Sequence, residues 1–149
     1  MENCPACGVR GKPVRAVTLR ALVKEEQQGR IGPGRYRFCA TKGCAVIYFA
    51  EDGSGVIEKE ALKVRVGVKE SEPPRPVCYC FGHTIEEIVE EARRLGRSLI
   101  LDDIRERVER EGCHCEETNP QGSCCLGVIT RIVEEAQRQR AVERGSLPN

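Results

Sequence analysis

The chain has 149 residues, no tryptophan, 4% aromatic residues and ten cysteines. That length allows one ordinary domain or two small ones, and the shortage of aromatics excludes a large aromatic core, so the cysteines have to be explained first. Net charge is only +1, with 14 Lys/Arg against 9 Asp/Glu in residues 1–77 and 10 against 14 in residues 78–149, an offset too small and scattered for a nucleic-acid footprint.

Met1 is not followed by a charged start and an apolar run of signal length, and no apolar stretch approaches a membrane span. The chain therefore reads as cytoplasmic, without membrane insertion. Thiols stay reduced in that compartment, which favours metal or redox chemistry over structural disulfides; a secreted disulfide scaffold is the alternative if a leader was removed.

Thr18 to Gln28 is compatible with a short helix. The turn signals Gly32-Pro33-Gly34 and Asp52-Gly53-Ser54-Gly55 bracket Tyr36-Arg37-Phe38 and Val46-Ile47-Tyr48-Phe49, which suit strands. Leu62, Val64, Val66 and Val68 alternate with Lys63, Arg65 and Gly67, the period of a half-buried strand. Residues 70–76 hold three prolines and three charges and leave nothing to bury, so 71–77 reads as a linker between a β-rich domain (1–70) and a second domain (78–149).

Downstream the period becomes helical. Ile85, Ile88, Val89 and Ala92 share a face behind Thr84, and Glu87 completes a Thr-x-x-Glu capping box, with Gly96 closing the helix. Ser98 caps a second helix with Leu101, Ile104, Arg105 and Val108 on one face, ended by Gly112. Asn119-Pro120-Gln121-Gly122 is a turn, after which Ile129, Ile132, Val133 and Ala136 mark a third helix starting near Cys124 or Cys125. The expected class is α+β, a small β-rich part followed by a helical module.

Cys4-Pro-Ala-Cys7-Gly and Cys39-Ala-Thr-Lys-Gly-Cys44 are two short-spaced pairs, each able to present two thiolates from one turn. Together they make the tetrahedral sulfur set that structural zinc prefers, with no open position for hydrolytic water. A rubredoxin-like iron site, redox dithiols and plain buried cysteines are the alternatives. In the second half, Cys78-Tyr-Cys80 is followed after 32 residues of helical pattern by Cys113-His114-Cys115 and then by Cys124-Cys125. Such converging thiolates suit a [2Fe-2S] cluster, a second zinc or free thiols being the alternatives. A helix beginning at Cys124-Cys125 would aim its amides and positive dipole end at an anionic cluster. Six thiols compete for four places here. Cys113 or Cys124 could replace Cys115 or Cys125, since neighbouring Cα atoms lie only about 3.8 Å apart.

Cys78-x-Cys80, a helix pair containing Gly96-Arg97-Ser98-Leu99 and returning cysteines resemble the bacterioferritin-associated ferredoxin family. That family ends in Cys-x-x-Cys, whereas the longer Cys115-to-Cys125 segment is similar to the amino-terminal part of CopZ-type copper chaperones. The latter resemblance extends through Cys4-x-x-Cys7, Phe38-Cys39 to Cys44-Ala-Val-Ile-Tyr-Phe49, Val66 to Glu70 and Val77 to Cys80. It implies zinc on Cys4, Cys7, Cys39 and Cys44, and a [2Fe-2S] cluster on Cys78, Cys80, Cys115 and Cys125. It also implies copper handling in concert with a copper-transporting ATPase, a separate copper-carrying domain and a redox partner protein. In that family a carboxyl-terminal domain carries copper(I) on a Met-x-Cys-x-x-Cys loop; no such motif follows Val142, so the chain reads as a truncated or stand-alone version.

The expected function is one-electron transfer that reduces copper(II) to copper(I), outside the usual enzyme classes. The alternative is a redox or iron-sensing [2Fe-2S] binding module that docks a partner without copper chemistry, and a further one is a zinc-stabilised adaptor. The spare thiols Cys113 and Cys124, with His114, are either adjacent groups without a role or a transient copper(I) site. His83 either donates a hydrogen bond to a cluster sulfur or is a polar residue before a helix cap. Glu86-Glu87, Glu90-Glu91 and Glu134-Glu135 either guide a basic partner or form solvated faces. No phosphate loop, Ser-His-Asp set or catalytic carboxylate pair is present.

Overall fold

The structure, a computed structural model, describes residues 1–145, so the end of the second domain at 146–149 lies outside the described residues. Strands β1 (Lys12–Val14), β2 (Tyr36–Phe38), β3 (Val46–Ala50) and β4 (Val56–Glu58) form an antiparallel sheet in the order β1-β2-β3-β4. The β-branched and aromatic residues of β3 are buried along its whole length, and Phe38 stands opposite Tyr48 with ring centroids 6.1 Å apart. Helix α1 (Ala16–Leu22) buries Leu19 and Leu22, and a 3-10 turn follows over Glu25–Arg30, so the helix expected near residues 18–28 is two shorter pieces. Ile47, Tyr48 and Ala50 join Leu19, Val23 and Ile57 in one core, whereas Val46 and Phe49 pack with Cys4 and Cys39. A register shift between Val46 and Tyr48 accompanies that division.

The alternating segment at 62–68 is not a strand. Leu62 makes a single bridge to Val23, and Gly67–Lys69 closes into a 3-10 turn. The alternation records burial, with Leu62 and Val66 inside and Lys63 and Arg65 outside, while the chain curls because the Lys69 ammonium reaches inward to two carbonyls.

The second half begins with a small hairpin, β5 (Pro76–Cys78) against β6 (His83–Thr84), so a strand takes up the end of the proline-rich stretch. Helices α2 (Ile85–Leu95), α3 (Leu99–Glu111), α4 (Cys115–Thr118) and α5 (Leu126–Gly145) follow. The Thr84 hydroxyl accepts from Glu87 N–H, the reciprocal bond of the capping box is present, and Gly96 at φ 77° makes the left-handed stop. Ser98 Oγ caps α3 by accepting from Leu101 N–H at 3.0 Å. Ile88, Ile104 and Ile129 are fully buried where α2, α3 and α5 meet.

The halves are joined through α4 and the chain that links it to α5. Tyr48 Oη, buried in the sheet, donates to Pro120 O at 2.6 Å, and Thr18 Oγ1 donates to Glu116 O at 2.6 Å. Val68 packs against both cores. Burial pushes the Tyr48 phenol far above its ordinary value, so it remains a donor throughout the working pH range. Tyr48→Phe would leave a buried carbonyl unpaired and is expected to cost about 1–3 kcal/mol, read as a lower denaturation midpoint at matched metal content.

Candidate metal centres

The first centre is built from two tight turns. Cys4 N–H donates to Val9 O and Gly8 N–H to Cys4 O, both at 2.8 Å, with Gly8 at φ 79°. In the second turn Cys39 N–H donates to Ile47 O at 2.9 Å and Cys44 N–H to Thr41 O at 3.2 Å, with Gly43 at φ 85°. These positive angles suit glycine because a Cβ would crowd the backbone.

The four sulfurs of Cys4, Cys7, Cys39 and Cys44 lie within 4.8 Å of one another, Cys4 to Cys44 at 3.9 Å and Cys7 to Cys39 at 3.7 Å. A tetrahedron with metal–sulfur bonds of about 2.3 Å has edges of about 3.8 Å, so the set has the size zinc requires. Amides of Ala6 and Cys7 face Cys4, that of Val9 faces Cys7, and that of Val46 faces Cys44. Hydrogen bonding with the Thr41 hydroxyl, 3.2 Å away, brings Cys7 down to about 6, whereas burial pushes Cys4 up to about 11. The residues therefore fit a tetrathiolate zinc ion.

Lys69 was not singled out by sequence reasoning, since one lysine in an alternating stretch carries no signal. Its side chain is buried, and Nζ donates to Cys39 O at 2.9 Å and Val46 O at 2.6 Å. Lys69 O also accepts from Gly43 N–H at 3.0 Å. The residue thus holds the second cysteine turn at both ends and places a cation where it would offset the negative charge of four thiolates around a zinc ion.

In the second half the sulfurs divide into inner and outer ones. Cys78, Cys115 and Cys125 are buried and Cys80 is half-buried, whereas Cys113 and Cys124 are exposed. Cys80 Sγ lies 3.7 Å from Cys115 Sγ, and Cys125 shares sulfur hydrogen bonds with Cys78 and Cys115. Hydrogen bonding from Cys125 brings Cys78 to about 6 and Cys115 to about 5, while the Cys125 thiol, donating to both, is pushed far up. Backbone amides of Phe81, His114 and Cys125 face Cys78, Cys80 and Cys115 respectively. Thr118 Oγ1 is 3.2 Å from Cys80 Sγ. Four converging sulfurs met by amide donors are a fit for an anionic iron–sulfur group, which such hydrogen bonds stabilise and tune. The Cys125 carbonyl takes the first bond of α5 from Ile129 N–H at 2.9 Å, so this ligand candidate sits at the helix start.

Other candidates have local duties. His83 Nδ1 faces Glu87 Oε2 at 3.5 Å. Glu86 pairs with Arg75, Glu90 with Arg94, and Glu135 with Arg138. Glu91 accepts from Ser98 Oγ and from Ile100 N–H at 3.0 and 2.9 Å.

Residues 1–63 match a family model, that of CopZ-type proteins, described as a zinc binding domain. The chain is 39% identical over 132 residues to the copper chaperone CopZ of Archaeoglobus fulgidus, a match covering 89% of this chain and 62% of that protein. It thus spans about three fifths of that relative's length. The X-ray structure of the Archaeoglobus fulgidus CopZ N-terminal domain superposes with a TM-score of 0.72 at 38% identity, covering 87% of this chain and 96% of that one.

Lys69→Met would strip two carbonyls of their donor and remove the cation beside the thiolates. Zinc retention against a chelator is expected to fall about 10–100-fold, the usual cost of losing a supporting group just outside the ligands.

Proposed function

Residues 1–63 form a CopZ-type zinc-binding domain and the chain is a homologue of the Archaeoglobus fulgidus copper chaperone; from that premise we propose that it holds one structural zinc and one [2Fe-2S] cluster and serves copper handling by reducing copper(II) to copper(I). The single observation that carries the cluster assignment is the convergence of Cys78, Cys80, Cys115 and Cys125 with amides aimed at three of their sulfurs.

Zinc on Cys4, Cys7, Cys39 and Cys44 would be structural, because four thiolates leave no position for water or substrate. When bound, the cluster supplies one-electron chemistry, which matches the single electron separating the two copper states. The protein's own part is to bring the four sulfurs together, keep Cys78, Cys115 and Cys125 buried, and leave Cys80 the most exposed of the four. The copper(I) produced is suited to thiolate ligands, so its recipients are proposed to be a copper-carrying domain or a copper-transporting ATPase, with the electron supplied by a redox protein. No described helix is long and apolar enough to cross a membrane, and the proposed setting is the cytoplasm.

Protein purified without oxygen is expected to contain about one zinc and two irons and to absorb between roughly 320 and 600 nm, with Cys125→Ser abolishing that absorption while zinc remains. A colourless protein from iron-replete cells would sink the cluster assignment. After chemical reduction and removal of excess reductant, the protein is expected to convert copper(II) stoichiometrically; failure to do so within minutes removes the redox role.

A further inference from the structure

Cys113 and Cys124 differ from the inner cysteines in exposure, while their sulfurs lie close to each other and to one inner sulfur, that of Cys115. Both are exposed, and with Cys115 Sγ they form a group whose sulfurs all lie within 4.8 Å. Neither contributes to a hydrophobic core, in contrast to Cys78, Cys115 and Cys125.

The spacing between the two is held by structure. They flank α4 and the turn that follows it, where Asn119 O accepts from Gly122 N–H at 2.8 Å and Asn119 Oδ1 from Gln121 N–H at 3.0 Å. Asn119 Nδ2 then donates to Ser123 O at 3.1 Å, immediately before Cys124. Asn119 is itself buried, so the turn that brings Cys124 back toward Cys113 is a fixed part of the fold.

The geometry points to Cys113 and Cys124 as a surface dithiolate site for one copper(I) ion, lying against the sulfur of Cys115. Soft thiolates select copper(I) over harder ions, and two outward sulfurs fall short of the closed four-ligand shell of structural zinc. Among the described residues the close group consists of three sulfurs and does not include the His114 imidazole, and the His114 amide is already directed to Cys80. Binding breaks two S–H bonds and forms two S–Cu bonds; both protons pass to solvent and no electron moves. The choice of ion rests on the copper-handling reading, whereas the site itself does not depend on redox activity of the cluster.

The test is anaerobic titration of the full chain with copper(I) alone, in competition with a coloured cuprous chelator. The unmodified protein is expected to take one equivalent while zinc content and visible absorption stay constant. The double variant Cys113→Ser, Cys124→Ser should keep its zinc and its absorption yet lose at least about 100-fold in copper(I) affinity, beyond what loss of an outer supporting group causes. His114→Ala should bind as the unmodified protein does. Any of four results overturns the site: no uptake by the unmodified protein, full uptake by the double variant, uptake that expels zinc, or loss of visible absorption in the double variant. A protein that fails to reduce copper(II) but shows this cysteine dependence retains the site and loses the redox reading. One that reduces copper(II) but binds copper(I) equally well without the two thiols loses the site and retains that reading.

Discussion

At Gly67 the backbone runs so close to the start of β5 that a Cβ would sit 2.0 Å from Pro76 O and 2.6 Å from the Arg75 carbonyl carbon. Any other residue would have to push the two segments apart. Two residues later Lys69 turns inward to the carbonyls of Cys39 and Val46. From the other side Tyr79, between Cys78 and Cys80, donates to Arg65 O at 2.7 Å and faces the Gly67 amide at 3.3 Å. The Cys39–Cys44 turn and the Cys78–Cys80 pair therefore lean on the same few residues. Opening the approach at Gly67 would disturb both.

A second fastening lies between Cys115 and Cys125. The chain between Cys115 and Cys125 meets the sheet through Pro120 and Glu116, which receive hydrogen bonds from Tyr48 and Thr18. Gly122 also sits against this part, since a Cβ there would meet Thr18 Oγ1 at 2.9 Å and Val14 at 3.0 Å. Both ligand-bearing segments of the helical half are thus positioned by the β-rich half. Neither core is large, and a structural zinc contributes about 10–16 kcal/mol of apparent binding free energy in small domains. Metal bound at the first site would accordingly support the platform on which Cys78, Cys80, Cys115 and Cys125 are placed.

The parts legible in the sequence were those written in local chemistry. Cys4, Cys7, Cys39 and Cys44, each pair accompanied by a glycine, do come together. Thr84 with Glu87, Gly96, Ser98 and Gly112 bound the helices where their capping chemistry requires. What depended on distant partners was not legible. The period of Leu62 to Val68 was that of a strand, but periodicity reports which side is buried and cannot supply a neighbouring strand. Three-residue strands such as β1 and β4 carry too little pattern to detect. Lys69 was invisible because its meaning lies in carbonyls that are 23 and 30 residues away.

The division among the last cysteines follows the same logic on a finer scale. Cys115 is the first residue of α4, and Cys125 supplies the carbonyl that starts α5. Cys113 and Cys124 precede those positions, so their side chains leave on the outer side. Sequence spacing alone could not distinguish them, because moving a helix start by one residue would exchange inner and outer thiols. Helix starts therefore do more here than end secondary structure: they separate adjacent thiols by burial, Cys115 and Cys125 inside and Cys113 and Cys124 outside.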